Sequence, residues 1–172
     1  KPALYRHFHR IAWLAVALAL CVIVFGAFVR LSNAGLSCPD WPTCYGRATW
    51  PSVTSEVNHP TALDVRPLEV GKAWREQVHR HAAAVLGSLV LILALLAARR
   101  RRFGVAQILV AAALIAAGIP LYMRGMHETA VACAVLGELI LLVAALRWSN
   151  DDLARVTAFT LMLIVFQALL GM

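Results

Sequence analysis

Residues 11–29 run without a charged side chain over the length a helix needs to cross a hydrocarbon core, roughly 17–25 residues. Such a stretch belongs in a bilayer or at the centre of a large soluble domain, and the rest of the chain decides between them. Further apolar runs occupy residues 82–98, 103–123, 129–146 and 156–172. Of the 172 residues 61% are hydrophobic and 15% are charged, which leaves too little polar surface for a soluble fold. The expected fold class is therefore all-α, a polytopic transmembrane helical bundle with about five membrane spans. Residues 1–172 are read as a single transmembrane bundle, with residues 30–80 as an outer loop.

The net charge of +7 points first to nucleic acid, but the positions of the basic residues point elsewhere. Lys1, Arg6 and Arg10 precede the first run, and Arg99 to Arg102 follow the second. Basic residues flanking apolar spans set topology and meet anionic lipid, so the expected partner is a lipid bilayer and no nucleic acid. These residues, with Arg147 and Arg155, fall on one side of the membrane; Arg124 and the long 30–80 segment fall on the other. The positive-inside rule makes the first side cytoplasmic, which puts the N-terminus inside and the Cys38–Cys44 loop outside. The first run exceeds a signal-peptide core of about 7–15 residues, and no small-residue cleavage pattern follows it. It is read as a retained helix. The last run ends at Met172 with no closing polar flank, so the chain reads as given in part. No internal repeat or low-complexity tract stands out, and residues 52–70 read as an irregular connection.

Two places carry chemistry. Cys38 and Cys44 sit in a loop with Pro39, Pro42, Gly35 and Gly46, all of which oppose helix continuation. Five intervening residues allow the pair to close a disulfide in the compartment where disulfides persist. It is either a structural staple or an exchangeable dithiol. Glu76 and His79 stand three apart in Trp74-Arg75-Glu76-Gln77-Val78-His79-Arg80, on one face of a helix. A histidine entering a bundle is either a heme-iron axial ligand with an adjacent carboxylate, or an interfacial residue at a salt-bridged helix start. Arg30 and Arg80 are candidates to hold heme propionates.

The remaining candidates have plainer readings. His81 lies on another face from His79, and His127 with Glu128 caps the outer end of the fourth span or supplies a second ligand. His7, His9 and His59 carry no signal, and Cys21 and Cys133 are packing residues. Glu138 is the acid inside a span and is expected to face the bundle or be protonated.

From Gly26-Ala27-Phe28-Val29-Arg30-Leu31 through Gly35-Leu36-Ser37-Cys38-Pro39-Asp40-Trp41-Pro42-Thr43-Cys44, and again over Gly71-Lys72-Ala73-Trp74-Arg75-Glu76-Gln77-Val78-His79-Arg80, the chain resembles the heme A synthase family of membrane oxidases. The resemblance implies a multi-pass protein of the bacterial inner membrane that oxidises a ring methyl of heme O to the formyl group of heme A for terminal oxidases. It implies heme b as cofactor and heme O as substrate, with His79 as an axial iron ligand and Glu76 as the carboxylate beside the reacting methyl. Cys38 and Cys44 become the outer-loop disulfide pair, aiding electron transfer or holding the loop. Heme O synthase, a quinone or other electron acceptor, and a second copy of the chain are the implied partners. The segment 166–172 resembles the start of the family's third helix, which makes residues 103–146 an additional hairpin. The family's second first-half ligand then falls beyond Met172 rather than at His127, and its second half is absent, so the stretch alone is expected to be inactive.

Two rivals remain at this point. A thiol–disulfide oxidoreductase would use Cys38 and Cys44 to pass electrons to quinone, although no tight C-x-x-C is present. A b-type cytochrome subunit would bind heme through His79 and leave the porphyrin unchanged.

Overall fold

A computed structural model describes residues 2–149 and 152–170. Among them it contains six α-helices and no strand: α1 Pro2–Leu31, α2 Thr61–Val65, α3 Val70–Ala98, α4 Gly104–Met123, α5 His127–Arg147 and α6 Leu153–Leu170. Five of these, all but α2, are long and apolar enough to cross a membrane. The chain is a multi-pass helical membrane protein, in agreement with the spans read from the sequence. Lys1 of the first basic flank, and Gly171 and Met172 of the fifth run, lie outside the described residues.

The segment of residues 30–80, read as an outer loop, is not all loop: α3 starts at Val70, well before the apolar run at residue 82. Its first turn is held by Lys72 and Ala73 N–H groups donating to the Glu69 carbonyl, both at 2.9 Å. The Lys72 ammonium also meets the Glu69 carboxylate at 2.7 Å. Charged and polar residues here build a helix that the hydropathy pattern does not register. Nor is residues 52–70 wholly irregular: it contains a 3-10 turn at Thr54–Glu56 and the short α2.

The described residues form two compact units, one of residues 16–86 and one of residues 1–15 with 87–172. In the second, α4 packs on α5 and α5 on α6, with Ile108, Ala111, Leu141, Ala144, Ala154 and Ala158 fully buried. Small residues let these backbones approach closely. A Cβ on Gly137 would fall 2.8 Å from the Ala111 carbonyl oxygen and 2.6 Å from Ile115. Arg101 and Asp152 form an ion pair in the same unit. Glu138 Oε1 is buried on α5 and meets no hydrogen-bond donor among the described residues.

Candidate functional site

The unit of residues 16–86 contains the C-terminal part of α1, the cysteine loop and the start of α3. The loop has its own apolar centre. Cys38, Cys44 and Tyr45 are buried with Ala62 of α2 and Ala73 of α3, and Trp50, Val57, Leu63 and Leu68 pack around them. Cys38 and Cys44 are joined in a disulfide with their Cα atoms 4.8 Å apart. At 5% and 0% exposure they offer no open path to a partner thiolate, which favours the staple over the exchanging dithiol.

Polar side chains hold this loop onto α3. Asp40 organises the turn: its carboxylate accepts from the Tyr45 and Gly46 N–H groups at 2.5 and 2.8 Å and from the Thr43 hydroxyl. Gln77, 1% exposed, donates through Nε2 to the Pro42 and Ala48 carbonyls at 3.2 and 2.8 Å. The Arg80 guanidinium donates to the Asp40 and Thr43 carbonyls at 2.8 and 3.0 Å. Ala73, Glu76, Gln77 and Arg80 recur at i, i+3, i+4 and i+7, so one face of α3 is the seat of the loop. Leu36 and Tyr45 have positive φ, 68° and 53°, a conformation that costs an ordinary side chain about 1–3 kcal/mol and must be held by its surroundings.

Glu76 lies at the centre of this seat and is 7% exposed. Its Oε2 accepts from the Cys38 N–H at 2.8 Å and lies 2.9 Å from the Ser37 hydroxyl, while Oε1 accepts from Arg80 at 2.6 Å. Charge-assisted bonds of this kind are the strong ones, so the carboxylate is fixed against the backbone of the disulfide itself. Tyr45 is sealed beside it, donating toward the Arg66 and Pro67 carbonyls at 3.2 and 3.1 Å. Burial pushes its phenol above the ordinary 10.0.

His79, one turn further along α3, faces α1 instead. Its Nε2 lies 3.2 Å from the Val22 carbonyl, which only accepts, so the proton is assigned to that nitrogen. The ring sits against Gly26, where an added Cβ would come within 2.6 Å of Nε2. Phe25 flanks it at 6.3 Å between ring centroids and also meets Trp74 at 6.3 Å; Arg75 lies over the Phe28 ring at 5.4 Å. Among the described residues no three His, Cys, Asp or Glu side chains converge to hold a bare metal ion. A metal carried in its own ligand frame, needing only an imidazole, fits this donor set, and the aromatic flank suits a flat apolar ligand.

The other candidates are scattered. Arg30 is exposed in the last turn of α1, and Arg80 already spends its guanidinium on the loop and Glu76. His81 is exposed and donates through Nδ1 to the Gln77 carbonyl at 2.7 Å. In the other unit, exposed His127 opens α5 with its ring edge-on to Tyr122 at 4.9 Å. Gly26, Ser37, Asp40 and Gln77 entered the sequence reading only within the resembling motifs and with no role, and Val22 was not named. The i, i+3, i+4, i+7 face around Glu76 was a visible signal for Gln77; nothing in the sequence marked the Val22 carbonyl.

Comparisons with known proteins add an independent finding. A family described as cytochrome oxidase assembly protein (COX15-CtaA) matches residues 9–126, which takes in the Cys38–Cys44 loop, Glu76, His79 and α4. A heme A synthase of Shewanella oneidensis is 44% identical over 86 residues, covering 48% of this chain and 26% of that protein. The chain thus matches about a quarter of that curated relative. No solved structure matches it.

Proposed function

The chain belongs to the cytochrome oxidase assembly protein family, and on that premise we propose that it is the heme-handling part of a heme A synthase. The reaction is oxidation of a heme O ring methyl to the formyl group of heme A. The observation that carries this reading is the start of α3, where a buried, hydrogen-bonded Glu76 precedes by one turn an imidazole seated beside Phe25. The protein lies in the bacterial inner membrane, with the cysteine loop outside and the N-terminus in the cytoplasm.

Each residue has a task in this reading. His79 would hold the iron, through its other ring nitrogen or after release of Nε2 from the Val22 carbonyl, and would thereby orient the porphyrin, with Gly26 leaving room for the ring. Phe25 and Trp74 form part of the apolar wall, and exposed Arg30 is free to approach a propionate. Arg80 orients Glu76 in this reading, with Nη1 on the Asp40 and Thr43 carbonyls and Nη2 on the Glu76 carboxylate. Bound heme, with heme b as cofactor and heme O as substrate, would supply the electron chemistry. Glu76 would supply a fixed negative charge where positive charge develops on the oxidised methyl and, once the covering loop admits substrate and water, would accept a proton from the attacking water. The disulfide holds the backbone N–H that keeps the carboxylate in place.

The test is pigment extraction and mass analysis from cells expressing the full-length gene product. The wild type is expected to yield the formyl product, and a Glu76→Ala variant to lose it by at least about a hundredfold. Aldehyde formation at the normal rate in that variant would remove Glu76 from the chemistry. Unaltered heme b alone from the wild type would favour a cytochrome subunit.

A further inference from the structure

We propose that Ser37 is the proton partner of Glu76, a positioning residue that lets the carboxylate gain and release a proton without dismantling the network around it. This inference rests on the catalytic reading of Glu76 and adds a residue to it. Ser37 is 3% exposed. Its Oγ lies 2.6 Å from the Ala34 carbonyl and 2.9 Å from Glu76 Oε2. A hydroxyl has one proton, and the carbonyl can only accept, so Ser37 serves one of these neighbours as donor at a time.

The two choices correspond to the two states of Glu76. With the carboxylate ionised, the Ser37 proton points to Oε2 and joins the Cys38 N–H there. With Glu76 protonated, its own O–H donates to Ser37 Oγ, and the serine proton turns to the Ala34 carbonyl. Heavy atoms stay where they are, and the added proton comes from the attacking water. The proton belongs on Oε2, because Oε1 faces the Arg80 guanidinium at 2.6 Å, a group with donors only. Charged or titratable neighbours are Arg80 on the same helix and, from the loop, the Tyr45 phenol with Asp40 and Arg66 around it; Lys72 and Glu69 pair with each other at the start of α3, and the disulfide does not titrate.

Infrared difference spectra between acid and neutral pH, recorded on the purified full-length gene product, test this without turnover. Glu76→Gln identifies the protonated-carboxyl C=O band. In Ser37→Ala the band is expected at higher frequency, because the acid has lost its acceptor, and Ser37→Thr is expected to restore it. In turnover Ser37→Ala lowers kcat about tenfold, the value of one charge-assisted bond, and leaves KM unchanged. An unmoved band in Ser37→Ala overturns the proposal. If that variant does not fold, a displaced band in Ser37→Thr, which keeps the hydroxyl, overturns it equally. Failure of the wild type to convert heme O would sink the synthase reading, while the band would still decide the Ser37–Glu76 link.

Discussion

Tyr45 shows how a single buried group ties the loop to its environment. Its hydroxyl lies against the Arg66 and Pro67 carbonyls and its ring fills the loop's apolar centre beside the disulfide. Burial raises its ionisation above the ordinary 10.0, so the folded loop favours the neutral phenol more than the unfolded chain does. The stabilisation is therefore complete below about pH 10 and is lost as pH rises through the raised value. Fluorescence of the tryptophans, Trp50 being packed on the same cluster, is expected to report loosening of the loop only above that pH. Tyr45→Phe should flatten this alkaline transition; an unchanged transition in that variant would assign it to another group. Part-buried Asp40 and buried Gln77 act by the same logic of polar groups given partners, except that Gln77 Oε1 is buried without one.

Helices were legible where apolar runs were long, because a span must satisfy its own backbone in lipid and leaves a continuous hydropathy signal. The start of α3 was legible only in part. The Glu76–His79 spacing marked Trp74 to Arg80 as helical, while the earlier turn through Lys72 looks like loop by hydropathy and yet belongs to α3. The disulfide pair was legible as a pair; its burial under α2 was not, because Ala62 and Leu63 carry no signal until the chain folds back on them. At this scale the α4–α5 contact makes a sharp prediction. Gly137→Val puts a side chain against the Ala111 carbonyl and Ile115, and is expected to cost about 1–3 kcal/mol in detergent unfolding. Gly87→Ala, with nothing within 4 Å of its Cβ, should be neutral by comparison. Equal effects at the two sites would contradict close packing of the hairpin.

For the molecule as a membrane protein, the chemistry on the proposed reading lies in a covered loop and a helix start. The buried disulfide should resist a dithiol reductant in the folded, detergent-solubilised protein and react readily after denaturation, as read by alkylation and mass shift. Equally fast reduction in both states would revive the exchanging dithiol. Heme capture by His79 underlies everything else proposed here. Full-length wild type and His79→Ala, purified and titrated with heme O, are expected to differ in heme bound per polypeptide and in the absorption band of the ligated iron, both reduced in the variant. A wild type that stays colourless with excess heme, or a variant that binds as much with the same spectrum, would contradict it.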